Sequence, residues 1–194
     1  MSLNGQRILV LRPRDQAQAV ATELERQGAV PILLPALVIA PPEDPTPLDA
    51  ALARLETYDW LILTSVNGVN AVFDRLDELP MGLRVAVVGP KTAQALQERG
   101  GTADLIPAAA TAEALAEALL QVEGMRRVLF PKANRARDVL PVALRAHGVQ
   151  VDDPVAYRSL PAIAEGDALD ALRQGTIDWV MVTSPSTFEE LVGR

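Results

Sequence analysis

Asp59-Trp60-Leu61-Ile62-Leu63-Thr64-Ser65 and Asp178-Trp179-Val180-Met181-Val182-Thr183-Ser184 repeat one order of residue types: an acid, a tryptophan, an apolar run, then Thr-Ser. A run this short suits a strand buried on both faces, and the hydroxyl pair behind it suits the start of a helix. The two stretches stand 119 residues apart, and Arg7-Ile8-Leu9-Val10 stands 120 before Arg127-Val128-Leu129-Phe130. Gly28 and Gly148 repeat the interval of 120, Pro35 and Pro154 that of 119. Intervals far above solenoid periods imply two sibling halves, each with its own core.

Outward from these stretches, short apolar runs alternate with helical ones, the pattern of βαβ units around a parallel sheet. Strands are expected at 8–11, 30–34, 60–63, 85–88, 103–106, 128–130, 149–151 and 179–182. Helices are expected at 16–27, 48–55, 66–76, 92–99, 112–120, 136–147, 168–174 and 186–192. Gly28, Gly100 and Gly148 close helices where left-handed backbone favours glycine. The segments 35–39 and 154–158 sit at equivalent places in the repeat and are expected to pair as a two-stranded antiparallel ribbon. That organisation makes 40–154 a continuous α/β domain, and 1–37 with 158–194 a discontinuous one, with a ligand cleft expected between them. The fold class is α/β: two similar parallel-sheet, flavodoxin-like domains from an internal duplication. A sibling of the unit at 83–122 should begin near 208, past Arg194, so the C-terminal part of the second copy is expected to be missing.

With 49% hydrophobic residues the chain can build two cores. No apolar run approaches the ~20 residues of a membrane span, and the N-terminus lacks a secretory pattern. Zero cysteines and one histidine, His147, exclude thiolate and multi-histidine metal centres and argue against a Ser-His-Asp triad. The expectation is a cytoplasmic protein, monomeric by default, without a metal centre. A net charge of −7 argues against nucleic acid and anionic membranes as partners. An acidic ligand must therefore be gripped by local groups.

Those groups cluster behind the strands, where open α/β sheets bind ligands. Thr64-Ser65-Val66-Asn67-Gly68, Gly89-Pro90-Lys91-Thr92 and Thr183-Ser184-Pro185-Ser186-Thr187 each span a strand-to-helix junction. Singly, such hydroxyls are ordinary helix caps. Three such junctions facing one cleft would instead form a donor array for carboxylates or phosphates. Arg12 and Lys132 stand at equivalent strand ends, 120 apart, and could add positive charge. Gly89-Pro90-Lys91-Thr92 lacks the glycine spacing of a phosphate loop, and no Gly-x-Gly-x-x-Gly follows a strand. Tyr157 lies in the expected ribbon, and its phenol can donate a proton or a hydrogen bond. His147 suits a helix C-terminal cation, and Trp60 and Trp179 suit core or rim packing.

With Leu11-Arg12-Pro13, Leu63-Thr64-Ser65-Val66-Asn67-Gly68-Val69, Val88-Gly89-Pro90-Lys91-Thr92-Ala93, Val155-Ala156-Tyr157-Arg158 and Val182-Thr183-Ser184-Pro185-Ser186-Thr187 in this order, the chain resembles the uroporphyrinogen-III synthase family. The resemblance implies two α/β domains joined by a ladder, no cofactor, and a tetrapyrrole substrate. The implied reaction closes hydroxymethylbilane to uroporphyrinogen III, losing water and inverting the terminal ring D. It implies Tyr157 as the group assisting departure of the hydroxyl. Ser65, Asn67, Gly68, Thr92, Ser184, Ser186 and Thr187 become binding residues, with Arg12 and Lys132 beside them. It also implies a longer chain, so a form ending at Arg194 is expected to be weak or inactive. The competing readings are a non-catalytic small-molecule-binding or regulatory module of the same fold, and a receiver or flavodoxin-like domain. A receiver needs acidic residues behind its strands, where Arg12, Thr64-Ser65 and Lys132 stand instead.

Overall fold

The computed structural model describes residues 3–11, 14–34, 37–161 and 167–182. The chain divides into two compact units, Met1–Ile39 with Ser159–Arg194, and Ala40–Arg158. The elements run β1 (Arg7–Val10), α1 (Arg14–Arg26), β2 (Val30–Leu33), β3 (Leu37–Ala40), α2 (Thr46–Leu52), β4 (Trp60–Leu63), α3 (Val66–Phe73), β5 (Arg84–Val87) and α4 (Pro90–Glu98). They continue with α5 (Ala112–Leu120), β6 (Arg127–Leu129), β7 (Lys132–Ala133), α6 (Val139–Ala146), β8 (Gln150–Asp152), β9 (Val155–Pro161), α7 (Asp167–Arg173) and β10 (Trp179–Met181).

In the continuous unit a parallel sheet runs β5-β4-β6-β8, and an isolated parallel bridge adds Leu105 beside Ala86. From β4 the chain builds outward first through β5 to Leu105. It then returns past the start and builds the other way through β6 and β8. The order reverses between β4 and β6.

Period-2 alternation decides what each strand residue touches. Trp60 and Ile62 face Val128, Leu115, Leu119, Leu140 and Leu144, the side of α5 and α6. Leu61 and Leu63 face Val85, Val87, Leu48, Val69, Val72 and Leu96, the side of α2, α3 and α4. All four β4 residues are buried, which is why the strand reads as a continuous apolar run. Burying each such side chain contributes about 1.5–3 kcal/mol. In the other unit β10-β1-β2 is likewise all parallel.

The expected strand at 103–106 contracts to the single bridge at Leu105, because the Asp104 carboxylate takes the Val85 N–H at 2.7 Å. The expected helix at 136–147 begins only at Val139, since Lys132 and Ala133 pair with β9 as the short strand β7. β7 joins β9 and β3 in a three-stranded sheet where a two-stranded ribbon was expected. Its backbone bonds, Lys132 N–H to Pro154 O and Asn134 N–H to Tyr157 O, reach residues more than 20 positions away, so local sequence carries no sign of them. Trp179 is 57% exposed, in contrast to Trp60 at 3%.

Asp59 fastens the lower edge of the continuous unit's sheet. Its carboxylate accepts the N–H groups of Arg126 and Arg127 at 2.7 and 2.8 Å, and its own N–H donates to Arg127 O. Burial works to raise its pKa, but these backbone bonds and the charges of Arg126 and Arg84 outweigh it and hold Asp59 below the ordinary carboxylate value. A depressed folded-state pKa gives stability that is present above the unfolded value of about 3.9 and fades as pH falls through the folded one. Asp59→Ala should lower stability at pH 7 by about 1–3 kcal/mol, the cost of two orphaned donors. It should also flatten the acid limb of a urea-midpoint profile; an unchanged profile would remove Asp59 from this role.

Candidate functional site

The reversal between β4 and β6 is the place where open α/β sheets carry their ligand sites. The connection after β4 turns into α3 on one face, and the chain beyond β6 reaches α6 on the other. Ser65 stands there as the N-cap of α3, extended at φ −160° and ψ 157°, its Oγ accepting the Gly68 N–H at 2.9 Å. The same Oγ lies 2.9 Å from the Tyr157 hydroxyl. Tyr157 reaches it because β9 runs parallel to β7, with Ala133 opposite Tyr157, and β7 directly continues β6.

Gly68 leaves room for this approach. A Cβ there would sit 3.3 Å from Ser65 Oγ and 3.7 Å from Pro131 O. Burial pushes the Tyr157 phenol above its ordinary value of about 10, against a smaller lowering by its bond to Ser65. At neutral pH it keeps its proton.

The structure therefore unites three of the expected site residues, Ser65, Gly68 and Tyr157. Asn67 is half-buried one position before Gly68. Thr92 is 4% exposed in the first turn of α4, behind Gly89. Gly89 is extended, and a Cβ there would meet Ala110 Cβ at 2.8 Å, so the position demands glycine for space and not for backbone angle. Lys132 is bound by Asp138 at 2.7 Å and Asp153 at 2.8 Å. Burial opposes its charge, yet these two carboxylates hold its pKa above the ordinary lysine value. Arg145 adds a second cation to Asp153. Lys132 thus enters a closed charge network; the adjacent acids Asp152-Asp153 were the signal in the sequence that could have shown it. Arg12, Ser184, Ser186 and Thr187 lie outside the residues whose side chains are described. The Pro131 carbonyl stands 3.7 Å from where a Cβ on Gly68 would sit, a neighbour that nothing in the local sequence announces.

Val155 and Arg158, either side of Tyr157 along β9, help line a groove of about 430 Å³, a volume typical of small-molecule sites. Arg158 is held in it by Pro41 O and the Glu43 carboxylate. A larger hollow of about 660 Å³ lies at the far end of α3 from Ser65, crossed by the Arg75–Asp49 ion pair. It carries no comparable hydroxyl pair.

The family model described as uroporphyrinogen-III synthase HemD matches residues 18–194. The chain belongs to the uroporphyrinogen-III synthase family. Uroporphyrinogen-III synthase of Synechococcus elongatus is 40% identical over 194 residues, covering 95% of this chain and 73% of the relative. A mutant uroporphyrinogen III synthase of Thermus thermophilus superposes with a TM-score of 0.72 at 20% identity, over 97% of this chain and 77% of that one. The uroporphyrinogen-III synthetase of Helicobacter pylori gives 0.58 at 18%, over 97% and 78%. At such identities the two structures speak for the fold, a mixed α/β architecture with parallel sheets. Among the described residues, no helix is long and apolar enough to cross a membrane.

Tyr58 resembles Tyr157 in direction: burial and its bond to Asp152 raise its phenol, partly offset by Arg54. A raised folded-state pKa gives stability that is intact below the unfolded value of about 10 and lost as pH climbs through the folded one. The urea midpoint should thus fall on the alkaline side of about pH 10, and Tyr157→Phe should reduce that fall. An alkaline limb of equal depth in the variant would show that Tyr157 is not protected.

Proposed function

We propose that this chain closes the linear tetrapyrrole hydroxymethylbilane to uroporphyrinogen III, with Tyr157 as the acid that assists loss of the hydroxyl. The observation that carries this is the Ser65–Tyr157 hydroxyl pair at the strand-order reversal, in a chain of this family. Tyr157 gives its proton to the departing hydroxyl, which leaves as water with the C–O electron pair. The lone pair of the adjacent pyrrole nitrogen fills the vacancy, giving an azafulvenium. The substituted carbon of ring D attacks, the spiro product fragments and recloses with that ring turned over, and the proton lost on rearomatisation restores the phenol. The net change is one water lost.

The heavier demand is positional. The bilane must be held so that attack by the substituted carbon outruns direct closure, and fixed donors serve that end. The acetate and propionate groups are the handles. Binding to them is assigned to the α3 start (Ser65, Asn67, Gly68), to Thr92, and to Arg12, Ser184, Ser186 and Thr187; each charge-assisted hydrogen bond would contribute about 1.5–3 kcal/mol. Lys132 serves more as a brace for β7 than as a substrate cation, since two carboxylates already neutralise it.

The two units are read as copies of one ancestral domain, which gives the domain limits expected from the repeat. Their registers support this reading: Ile8 pairs with Trp179 as Val128 pairs with Trp60, and Arg7 with Val30 as Arg127 with Gln150. Arg7 N–H donates to Asp178 at 2.7 Å as Arg127 N–H donates to Asp59.

Single-turnover closure of freshly prepared hydroxymethylbilane, with the isomers resolved, tests the assignment. The III isomer should form faster than the spontaneous symmetric one, and Tyr157→Phe should slow it by roughly 10²-fold, the low end of general-acid contributions. Full rate in Tyr157→Phe would exclude the acid role, and the symmetric product alone would exclude the reaction.

A further inference from the structure

The Ser65 hydroxyl is shared between two partners in a way that fixes more than a helix cap. Its oxygen accepts the Gly68 N–H at 2.9 Å, and the Tyr157 oxygen stands at the same distance. A hydroxyl has one proton and two lone pairs. With one lone pair taken by Gly68, two arrangements remain: Ser65 donates to Tyr157, or Tyr157 donates to Ser65. The second would aim the phenolic proton back at the α3 terminus. Accepting from an N–H polarises the serine O–H and makes it the better donor, so the chain Gly68 N–H to Ser65 to Tyr157 is the cooperative one.

We propose that Ser65 is the positioning residue of the acid: it donates its proton to the Tyr157 oxygen, which turns the phenolic proton away from the α3 terminus and stabilises the phenolate left after transfer. This rests on the reading of Tyr157 given above and reassigns Ser65 from substrate contact to proton orientation. Proton and charge balance within the pair. The phenol loses a proton to the departing hydroxyl, the serine keeps its own, and the phenolate is held by the serine O–H until it is reprotonated.

The surroundings leave this role to Ser65. α3 carries no charged residue along Val66–Phe73. On β7, Lys132 is occupied by Asp138 and Asp153. On β9 itself, Arg158 is bound to Glu43 and Pro41. Among the described residues Ser65 is the one hydrogen-bond partner of the Tyr157 hydroxyl.

The test compares Ser65→Gly and Ser65→Thr in the full chain, each with Tyr157 and with Tyr157→Phe. Glycine is tolerated at an N-cap at a cost of only a few tenths of a kcal/mol, so the variant should fold while lacking the hydroxyl. Threonine restores it. The first readout is phenolate absorbance against pH, with Tyr58 subtracted by means of Tyr157→Phe. Ser65→Gly should move the Tyr157 midpoint upward, and Ser65→Thr should return it. The second readout is single-turnover formation of the III isomer, expected to fall on the order of tenfold in Ser65→Gly, a fraction of what a positioned acid contributes. In the Tyr157→Phe background the same change should cost nothing further. An unmoved midpoint in Ser65→Gly, or a threonine that restores neither readout, overturns the proposal. A moved midpoint with full rate in Tyr157→Phe would instead overturn the acid assignment and leave the contact standing.

Discussion

Trp60 lies beside Val128 and Leu61 beside Leu129, so two strands separated by more than 60 residues become neighbours in the middle of the sheet. Every feature of the site follows from that pairing. It sends α3 and α6 to opposite faces of the sheet. It brings the Pro131 carbonyl to the α3 start, 3.7 Å from where a Cβ on Gly68 would stand. Because β7 continues β6 and pairs with β9, the same contact delivers Tyr157 to the helix terminus.

The chemistry of the site is that of hydroxyls and backbone donors and not of net charge. The protein is acidic, and among the described residues Lys132 and Arg145 pair with Asp153, and Arg158 with Glu43. Such pairs order the loops around β7 and β9. In the function proposed, recognition of a polyanion falls to directed N–H and O–H groups, whose strength depends on orientation more than on long-range field. A rigid parallel sheet with both faces buried is suited to holding such groups still.

Legibility in the sequence followed the range of the interactions. The limits of β4 and α5 coincide with those expected at 60–63 and 112–120, because a four-residue apolar run and a Thr111 cap act within a single turn or strand. The segment at 103–106 read as a strand from its composition, but Asp104 turns its carboxylate onto Val85 and ends the pairing after one bridge. β7 was invisible, since two residues carry no period and their partners lie beyond position 150. Lys132 looked like an anion-binding cation for the same reason: its carboxylates are neighbours in space, six and 21 positions away along the chain.

By itself the sequence determined the alternation of strands and helices and the residue types available behind each strand. Those are properties of local propensity, periodicity and spacing, which a chain carries before it folds. Tertiary structure decided which hydroxyls meet and which cations are already spent. A hydrogen bond at 2.9 Å between Ser65 and Tyr157 requires three parallel pairings to be in register at once, and no local segment encodes that coincidence.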